Sequence, residues 1–451
     1  MRKIIKELCK DKYIWVFILI AGITFFMTAF FYKTGFFPYT PIHSDGNGYY
    51  MYLPAWFVYH DPGMHFVQNL PPDPSGFSGT FFPMPTGQVV DKYTMGVAIL
   101  QMPFFLLAHV ITLLFCPEIA DGFSIFYQLS NIASGCFYYF LGSICIYRLL
   151  KKYTDEKSAG LSVILITFGT GLFHYISRDG AYSHVYSYAM IALFMLLIDM
   201  HEERQTRRLK FAGGICFGLL TLVRVTNAVM IFLFVFYGVN SVKKFGQRIA
   251  GLVKPQCWGA ILPGLILVWI PQLLYWKWAA GSFFVNSYDL PGNEWNEHFN
   301  WLQPELIRVL FMPNRGAFFW SPLLVFSVAG VVVCMKKKMH FQLGILISAV
   351  AFTYVTASWW AYDGLCGFTN RFFVDLSPLF IFGMALFFRF CVRGRQKMGI
   401  FIAAVILLSL LWTNLFMIEY WYHQTTMYDV KISTILEVFD WYIENIRQIC
   451  L

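Results

Sequence analysis

The sequence predicts an all-α protein that crosses a membrane many times, and two observations carry this prediction. The first is composition: 58% of the residues are hydrophobic and 13% are charged, against about 25% charged in an average soluble domain. The second is how charge is distributed. Six short loops hold 24 of the 34 lysines and arginines, and long apolar stretches separate these loops. The positive-inside rule places such loops in the cytoplasm.

The basic loops are residues 1–12, 148–157, 201–210, 241–254, 336–338 and 389–397. Acidic residues show the opposite distribution, since only six of the 25 Asp and Glu residues lie in these loops. We therefore expect a plasma-membrane protein with a cytoplasmic N-terminus, an outer C-terminus and polar motifs on the outer face. The net charge of +9 reflects this orientation and contact with anionic membrane lipids, and it does not indicate nucleic-acid binding.

The apolar stretches predict about eleven transmembrane helices, because a spanning helix needs about 20 mostly apolar residues. Nine stretches meet that requirement: 13–32, 124–149, 159–177, 181–200, 257–276, 317–335, 341–360, 372–390 and 398–417. The other two crossings are expected in residues 211–239, as short half-length helices broken near Leu222–Asn227. Arg224 lies at that break, and an arginine at depth is tolerated only where it lines protein or a water-filled cavity.

Residues 94–115 are a further apolar stretch whose crossing would upset the order of inner and outer loops. Pro103 and the acidic segment after it, which lacks Lys and Arg, favour an in-plane or re-entrant element, and whether it crosses stays open. The domain prediction is a single transmembrane domain over 1–417, with outer loops at 33–93 and 277–316. The tail, 418–451, is expected to carry an amphipathic helix on the outer leaflet.

The first outer loop is rich in proline and glycine, so we expect turns and short juxtamembrane helices in it rather than a folded sheet. It begins with the motif His43-Ser44-Asp45-Gly46-Asn47-Gly48-Tyr49-Tyr50. Asp45 is expected to cap the helix that follows, and the two glycines allow a tight entry into that helix.

Three further polar motifs are placed at the outer ends of spans. They are Ser177-Arg178-Asp179-Gly180-Ala181-Tyr182-Ser183-His184, Pro313-Asn314-Arg315-Gly316, and Trp359-Trp360-Ala361-Tyr362-Asp363-Gly364 with Asn370-Arg371. Together with Arg224 they give four arginines on the outer side, which runs against the positive-inside bias. Snorkelling alone could explain one such arginine. A shared anionic ligand explains four better.

An apolar first span, an aspartate opening a helix in the first outer loop and these arginine motifs resemble the GT-C glycosyltransferases. The nearest types are the protein O-mannosyltransferases and the lipid A aminoarabinose transferases, and the resemblance extends to about residue 390. One position departs from the pattern. Family members often carry a second acid beside the first-loop aspartate, whereas Gly46 follows Asp45. The resemblance therefore does not carry a metal-binding or paired-carboxylate role over to this position.

The resemblance implies inverting transfer of a sugar from a polyprenyl-phosphate donor to a lipid, glycan or protein acceptor. Asp45 would be the general base that accepts the proton of the acceptor hydroxyl. The donor phosphate would be bound by cationic side chains: Arg224, Arg178, Arg315 and Arg371, with Lys92 and His184 behind them. Further substrate contacts are predicted at Tyr49, Tyr50, Asp179, Asn314, Asp363 and Asn370, although Asp363 also fits a simple turn.

No cofactor is predicted with certainty. His43, Asp45, His60 and His65 could converge on a divalent metal ion, but their spacing matches no zinc motif. Two other functions stay open. A flippase for lipid-linked saccharides would also line a cavity with arginines, but its charges should be distributed through the membrane, whereas here Arg224 alone lies at depth. A ligase for preassembled glycans usually has its long outer loop late in the chain, whereas the longest outer loop predicted here, 33–93, comes directly after the first span.

Overall fold

The computed structural model of the protein describes residues 10–72, 80–293, 295, 297–337, 339–423 and 430–450. Parts of the predicted outer loops and tail (73–79, 294, 296, 424–429 and 451) lie outside the described residues. The α-helices are α1 Lys12–Lys33, α2 Asp45–Phe57, α3 Gly96–Phe115, α4 Ile125–Leu150, α5 Glu156–Phe168, α6 Leu172–Ile176, α7 Ser183–Arg204, α8 Arg207–Val223, α9 Ile231–Val235, α10 Val242–Leu252, α11 Pro255–Trp258, α12 Ile261–Ala280, α13 Leu306–Phe311, α14 Ala317–Trp320, α15 Leu324–Val333, α16 Gln342–Ser358, α17 Ser377–Phe387, α18 Gln396–Tyr422 and α19 Ile432–Cys450.

Short 3-10 helices lie at His65–Asn69, Pro117–Ile119, Val225–Met230, Cys334–Lys337 and Arg371–Val374, and a π-helical turn at Phe388–Val392 continues α17. Within the described residues, six helices are long and apolar enough to cross a membrane: α1, α3, α4, α7, α12 and the Lys397–Tyr422 part of α18. Their surfaces expose large apolar side chains such as Phe26, Leu114 and Phe401, which suit contact with lipid. The predicted all-α polytopic membrane fold is confirmed.

The chain divides into two compact units, and the first comprises Met1–Leu149 and Tyr175–His298. Its core forms where α2 packs against α3, with Tyr50, Leu53 and Phe105 buried between them. Helices α8 and α12 approach so closely that a Cβ on Gly214 would lie 2.1 Å from the carbonyl oxygen of Ile261. Such small residues allow helices to pack backbone to backbone inside a membrane.

The second unit comprises Leu150–His174 and Phe299–Leu451. Helix α17 is its centre, packed against α5 and α15. A Cβ on Gly330 would lie 1.9 Å from the carbonyl oxygen of Gly383, so α15 and α17 are in backbone contact. The indole of Trp412 in α18 donates to the carbonyl oxygen of Phe319, which ties α18 to α14.

Two local expectations are wrong. The loop between α2 and α3 holds a small antiparallel hairpin, β1 Phe81–Pro83 paired with β2 Val89–Asp91, where turns and short helices were expected rather than strands. Its β-branched and aromatic residues pair across a turn at Gly87, whose φ of 85° suits glycine. Asp45 is not the residue before its helix but the first residue in it. Ser44 occupies the capping position, with a φ of 50° that non-glycine residues rarely adopt.

The predicted helix break is present. Helix α8 ends at Val223, Arg224 has extended backbone angles (φ −153°, ψ 122°), and a 3-10 helix follows at Val225–Met230. The segment 94–115 forms one 20-residue helix, α3, and the side of the membrane on which each loop lies stays a prediction.

Candidate active site

Helix α2 is placed by two of its glycines, which contact other segments of the first unit. A Cβ on Gly46 would lie 2.7 Å from the Cβ of Ala181, and one on Gly48 would lie 2.4 Å from the ring of Tyr93. Any larger residue would push the helix away from both neighbours. The sequence therefore brings the Asp45 motif, which holds the predicted base, directly against the Ser177–His184 motif, which holds two of the predicted phosphate-binding residues.

The Ser177–His184 segment is buried rather than exposed. Arg178 and Asp179 are 4% and 5% exposed. The imidazole Nε2 of His43 lies 3.7 Å from a carboxylate oxygen of Asp179, and the other ring nitrogen contacts the carbonyl oxygen of Thr40 at 2.7 Å. The Arg178 guanidinium lies over the ring of Phe37, 5.8 Å from its centroid. Asp179 is thus a second acid beside the Asp45 helix, supplied by another part of the chain.

Arg224 reaches the same segment from the helix break. One of its terminal nitrogens lies 3.4 Å from the hydroxyl oxygen of Ser183 and 3.5 Å from Nδ1 of His184. His184 is buried, and its ring packs edge-on against Tyr175. Because α8 stops at Val223, the extended backbone at Arg224 turns the guanidinium toward α7 instead of toward lipid. Arg224 itself is only half-buried, so part of it stays accessible.

Tyr49 lies within electrostatic range of both Asp45 and Arg224. Its phenol contacts the Ser183 side chain. Burial is the largest effect and raises the pKa of the Tyr49 phenol well above its usual range, while Arg224 lowers it and Asp45 raises it. The ring also packs on Tyr93, with centroids 4.3 Å apart. The phenol of Tyr49 is therefore held neutral, within electrostatic range of a carboxylate and a guanidinium.

Lys92, predicted to bind phosphate, forms a buried ion pair. Its ammonium lies 2.7 Å from a carboxylate oxygen of Glu297, and both side chains are less than a tenth exposed. The ammonium also lies 5.2 Å from the centroid of the Tyr288 ring. The amide of Asn293 donates to the second Glu297 oxygen. This pair fastens Asn293 and Glu297 to the segment between β2 and α3.

Tyr50, predicted to contact substrate, points into the core of the first unit. Its hydroxyl donates to the carbonyl oxygen of Gly122 at 2.6 Å, and its ring packs against Phe105 and Phe123. It is 1% exposed. In this structure the side chain stabilises the helix α2, and a substrate contact at Tyr50 stays a prediction.

The second unit gathers the other predicted residues in a separate cluster. Arg315, with a φ of 61°, donates from Nε to the carbonyl oxygen of Gly367 and from a terminal nitrogen to Asp363 at 3.2 Å. The amide of Asn314 donates to the same Asp363 oxygen at 3.0 Å. The other Asp363 oxygen accepts from the backbone N–H of Leu365. Asp363 is thus both a turn residue and an ion-pair partner.

Asn370 and Arg371 follow in that cluster. The Asn370 amide donates to the carbonyl oxygen of Tyr362, and the side chain of Arg371 passes close to Gly364, whose φ is 76°. The Arg371 guanidinium carbon lies 5.7 Å from the ring centroid of Phe372. These contacts fold 361–371 into a compact loop that contains Arg371 and contacts Arg315.

Sequence reasoning missed three participants in the first unit: Tyr93, Tyr288 and Glu297. Each contacts a predicted site residue that is far away in sequence, and none belongs to a motif. His60 and His65 lie apart from Asp45 in the first loop, where His65 pairs with Asp61. Within the described part of the chain, no group of three or more His, Cys, Asp or Glu side chains is arranged to hold a metal ion.

Comparison with known proteins gives a family match over part of the chain and a similar fold. Residues 126–279 match the family described as dolichyl-phosphate-mannose-protein mannosyltransferase. The apo crystal structure of the Archaeoglobus fulgidus oligosaccharyltransferase superposes with a TM-score of 0.50 at 13% identity, covering 93% of this chain. The predicted resemblance to the GT-C glycosyltransferases is confirmed. This chain spans 56% of the length of that oligosaccharyltransferase, and at such identity the match shows the GT-C fold alone.

Two other structures of the A. fulgidus enzyme are similar. They are AglB in complex with an inhibitory peptide and a dolichol-phosphate (TM-score 0.46, 14% identity, 93% of this chain and 56% of that one) and the complex with Zn and sulfate (TM-score 0.49, 14% identity, 93% and 53%). No curated protein matches the chain by sequence.

Proposed function

We propose that this protein is a membrane glycosyltransferase that moves a sugar from a polyprenyl-phosphate-sugar donor to an acceptor hydroxyl, with Asp45 as general base. One observation carries the proposal: the helix that Asp45 begins packs through Gly46 against the Ser177–His184 segment, and Arg224 contacts that same segment at Ser183 and His184. Sugar transfer from a lipid phosphate needs a carboxylate at the attacking oxygen and a cation at the leaving phosphate. Helix α2 and the break after α8 supply one of each.

The chemistry requires both charges. An acceptor hydroxyl is a weak nucleophile, so a carboxylate that takes its proton as the bond to the anomeric carbon forms accelerates the step roughly 10²–10⁴-fold. The bond from that carbon to the phosphate oxygen breaks, and the phosphate gains negative charge. The Arg224 guanidinium would stabilise that charge with paired N–H donors, assisted by His184 and Arg178. One displacement inverts the anomeric configuration.

Three features support a lipid-linked donor. The family that matches residues 126–279 is named for dolichyl-phosphate-mannose, a polyprenyl-type phosphate sugar. The Arg224 break interrupts an apolar helix, which leaves polar groups beside lipid-facing residues such as exposed Val225. The four arginines predicted on the outer side can each pair with phosphate oxygens through two N–H donors. The acceptor is a lipid, glycan or protein, and the active site is proposed to face outward across the plasma membrane.

The test is transfer by purified full-length protein in detergent, with radiolabelled polyprenyl-phosphate-mannose as donor probe and membrane extract as acceptor. Asp45→Asn should lower the rate roughly 10²–10⁴-fold and leave the donor KM nearly unchanged, because Asp45 acts on the acceptor. Asp121→Asn is the matched control. The amide keeps an oxygen to accept from the backbone N–H groups of Phe123 and Ser124, as the carboxylate does now, so activity should stay normal.

An Asp45→Asn protein with more than a tenth of normal turnover would assign the base to another acid, with Asp179 next in line. The alternative function, a flippase for lipid-linked saccharides, makes a different prediction. Reconstituted into vesicles, a flippase would move labelled donor between leaflets without forming product. Donor movement without any transfer would therefore reject the glycosyltransferase proposal.

A further inference from the structure

A basic amphipathic helix, α10, lies at one end of the first unit. It is held there by Arg248 and by the ring of Phe245, which stacks on Phe236 with centroids 6.1 Å apart. Arg248 donates to a Glu202 carboxylate oxygen at 2.7 Å and to the carbonyl oxygens of Phe234 and Val235, the last residues of α9. The hydroxyl of Ser241 accepts from the backbone N–H of Lys244 and caps the start of the helix. The position of α10 is thus set by neighbouring helix ends.

Neighbouring helix ends lie where the sequence predicts the cytoplasmic boundary of the membrane. Helix α7 ends at Arg204, α8 begins at Arg207, α9 ends at Val235 and α12 begins at Ile261. The ammonium of Lys210 at the start of α8 donates to the carbonyl oxygen of Gln256, in the connection from α10 to α12. Helix α10 therefore lies beside the ends of α7 and α9, and its connection to α12 lies beside the start of α8.

Helix α10 exposes an apolar stripe. Val242, Phe245 and Ile249 are 89%, 42% and 38% exposed and follow helical spacing, and Val253 continues the stripe at 77%. No residue of α10 is buried. Leu262, on the first turn of α12, is exposed as well, and the surface of α12 is apolar and suited to lipid. Exposed apolar side chains on a basic helix near the ends of apolar helices indicate burial in the membrane interface rather than exposure to water.

Cations lie beside that stripe. Lys243, Lys244 and Lys254 are all exposed, and α7–α8 add Arg207 and Arg208 at the same end. The acids on that end are Glu202, which pairs with Arg248, and Glu203. The surface is therefore strongly basic. Each lysine near an anionic bilayer adds about fivefold to binding, and the effect falls off within about one Debye length.

We propose that α10 and the two residues after it bind anionic phospholipids, with Val242, Phe245, Ile249 and Val253 inserted among the acyl chains and Lys243, Lys244 and Lys254 on the headgroup phosphates. Apolar and basic residues share this short segment. A soluble anion or a nucleic acid would use only the basic ones, because either would leave the apolar stripe in water. The site is independent of the proposed sugar transfer, since it lies on the predicted cytoplasmic side.

Native mass spectrometry of the full-length protein, released from micelles containing equal phosphatidylglycerol and phosphatidylcholine, tests the proposal. K243Q/K244Q/K254Q should lower the ratio of phosphatidylglycerol to phosphatidylcholine adducts at least tenfold, since each lysine is worth roughly fivefold. K243R/K244R/K254R should keep the ratio. R393Q/R395Q/K397Q, which removes the same net charge from the basic loop of the second unit, should change it far less.

A second pair of measurements tests the apolar part. Phe245→Ser with Ile249→Ser should weaken phosphatidylglycerol retention although every lysine remains, and soluble glycerophosphoglycerol should fail to compete. Thermal denaturation checks that each variant is folded. An unchanged adduct ratio in the folded lysine-to-glutamine variant would overturn the proposal. So would an equal loss in both triple variants, because net charge alone would then explain the binding.

Discussion

The backbone of Gly46 passes so close to Ala181 that a Cβ on Gly46 would lie 2.7 Å from the Ala181 Cβ. Neither atom belongs to a flexible side chain, so nothing local can move aside. This contact holds the residue after Asp45 against the segment that carries Arg178, Asp179, Ser183 and His184. The glycine that follows Asp45 thus allows α2 to begin directly against the Ser177–His184 segment.

Gly46→Ala should therefore separate α2 from the Ser177–His184 segment. Overpacking of this kind costs about 1–3 kcal/mol, and the displaced Asp45 should lower turnover at least tenfold. Gly213→Ala is the matched control, because nothing lies within 4 Å of its added methyl group. There the substitution should stabilise the helix by about 0.5–1 kcal/mol. Thermal denaturation and the transfer assay report both effects, and equal behaviour of the two variants would contradict the close-contact argument.

Arg224→Ala should raise the donor KM or abolish turnover, because a charge-assisted contact to the phosphate is worth about 1.5–3 kcal/mol. Arg224→Lys should rescue only part of the loss, since an ammonium lacks the planar pair of donors. Steady-state kinetics with varied donor concentration measure both variants. Full activity of a folded Arg224→Ala protein would make this arginine structural and leave Arg178 or Arg371 to bind the donor.

Much of the fold was predictable because membrane crossing imposes simple rules on local sequence. The helix break at Arg224 followed from counting, as 29 residues between two basic loops cannot form two full spans. The hairpin β1–β2 was missed because its pairing depends on contacts of the first unit, and short strands lack a periodic pattern. Glu297 could not be foreseen as the partner of Lys92, because the two residues are 205 positions apart.

That ion pair gives a prediction that separates stability from donor binding. Lys92→Met should leave the buried Glu297 carboxylate without its cation and cost about 3–5 kcal/mol, whereas Lys92→Met with Glu297→Leu should recover much of the loss. Thermal denaturation in detergent compares the single and double variants. If Lys92 also binds the donor phosphate, the double variant will be stable yet keep a raised donor KM. A normal KM in the stable double variant would restrict Lys92 to holding the loop.

Asp91, which ends β2, gives a prediction about pH. Burial raises the pKa of its carboxyl well above the usual range, although the backbone N–H of Tyr93 and the charge of Lys92 act in the opposite direction. One carboxyl oxygen accepts from Tyr93, and the other has no hydrogen-bond partner. A carboxyl with a raised pKa in the folded state holds more protons there than in the unfolded state.

The contribution of Asp91 to the free energy of unfolding should therefore fall as pH rises. The fall begins near pH 4, about the pKa of an unfolded aspartate, and continues through the higher pKa of the folded state. Asp91→Asn keeps an oxygen for the Tyr93 N–H and removes the ionisation. Its melting temperature should match the wild type near pH 4 and exceed it at pH 7–8. Asp121→Asn makes the same change at a carboxylate that accepts from the backbone N–H groups of Phe123 and Ser124, and it should show no such divergence. If the Asp91 and wild-type curves stay parallel over this range, the carboxyl is ionised without penalty, which would require water to reach the base of the hairpin.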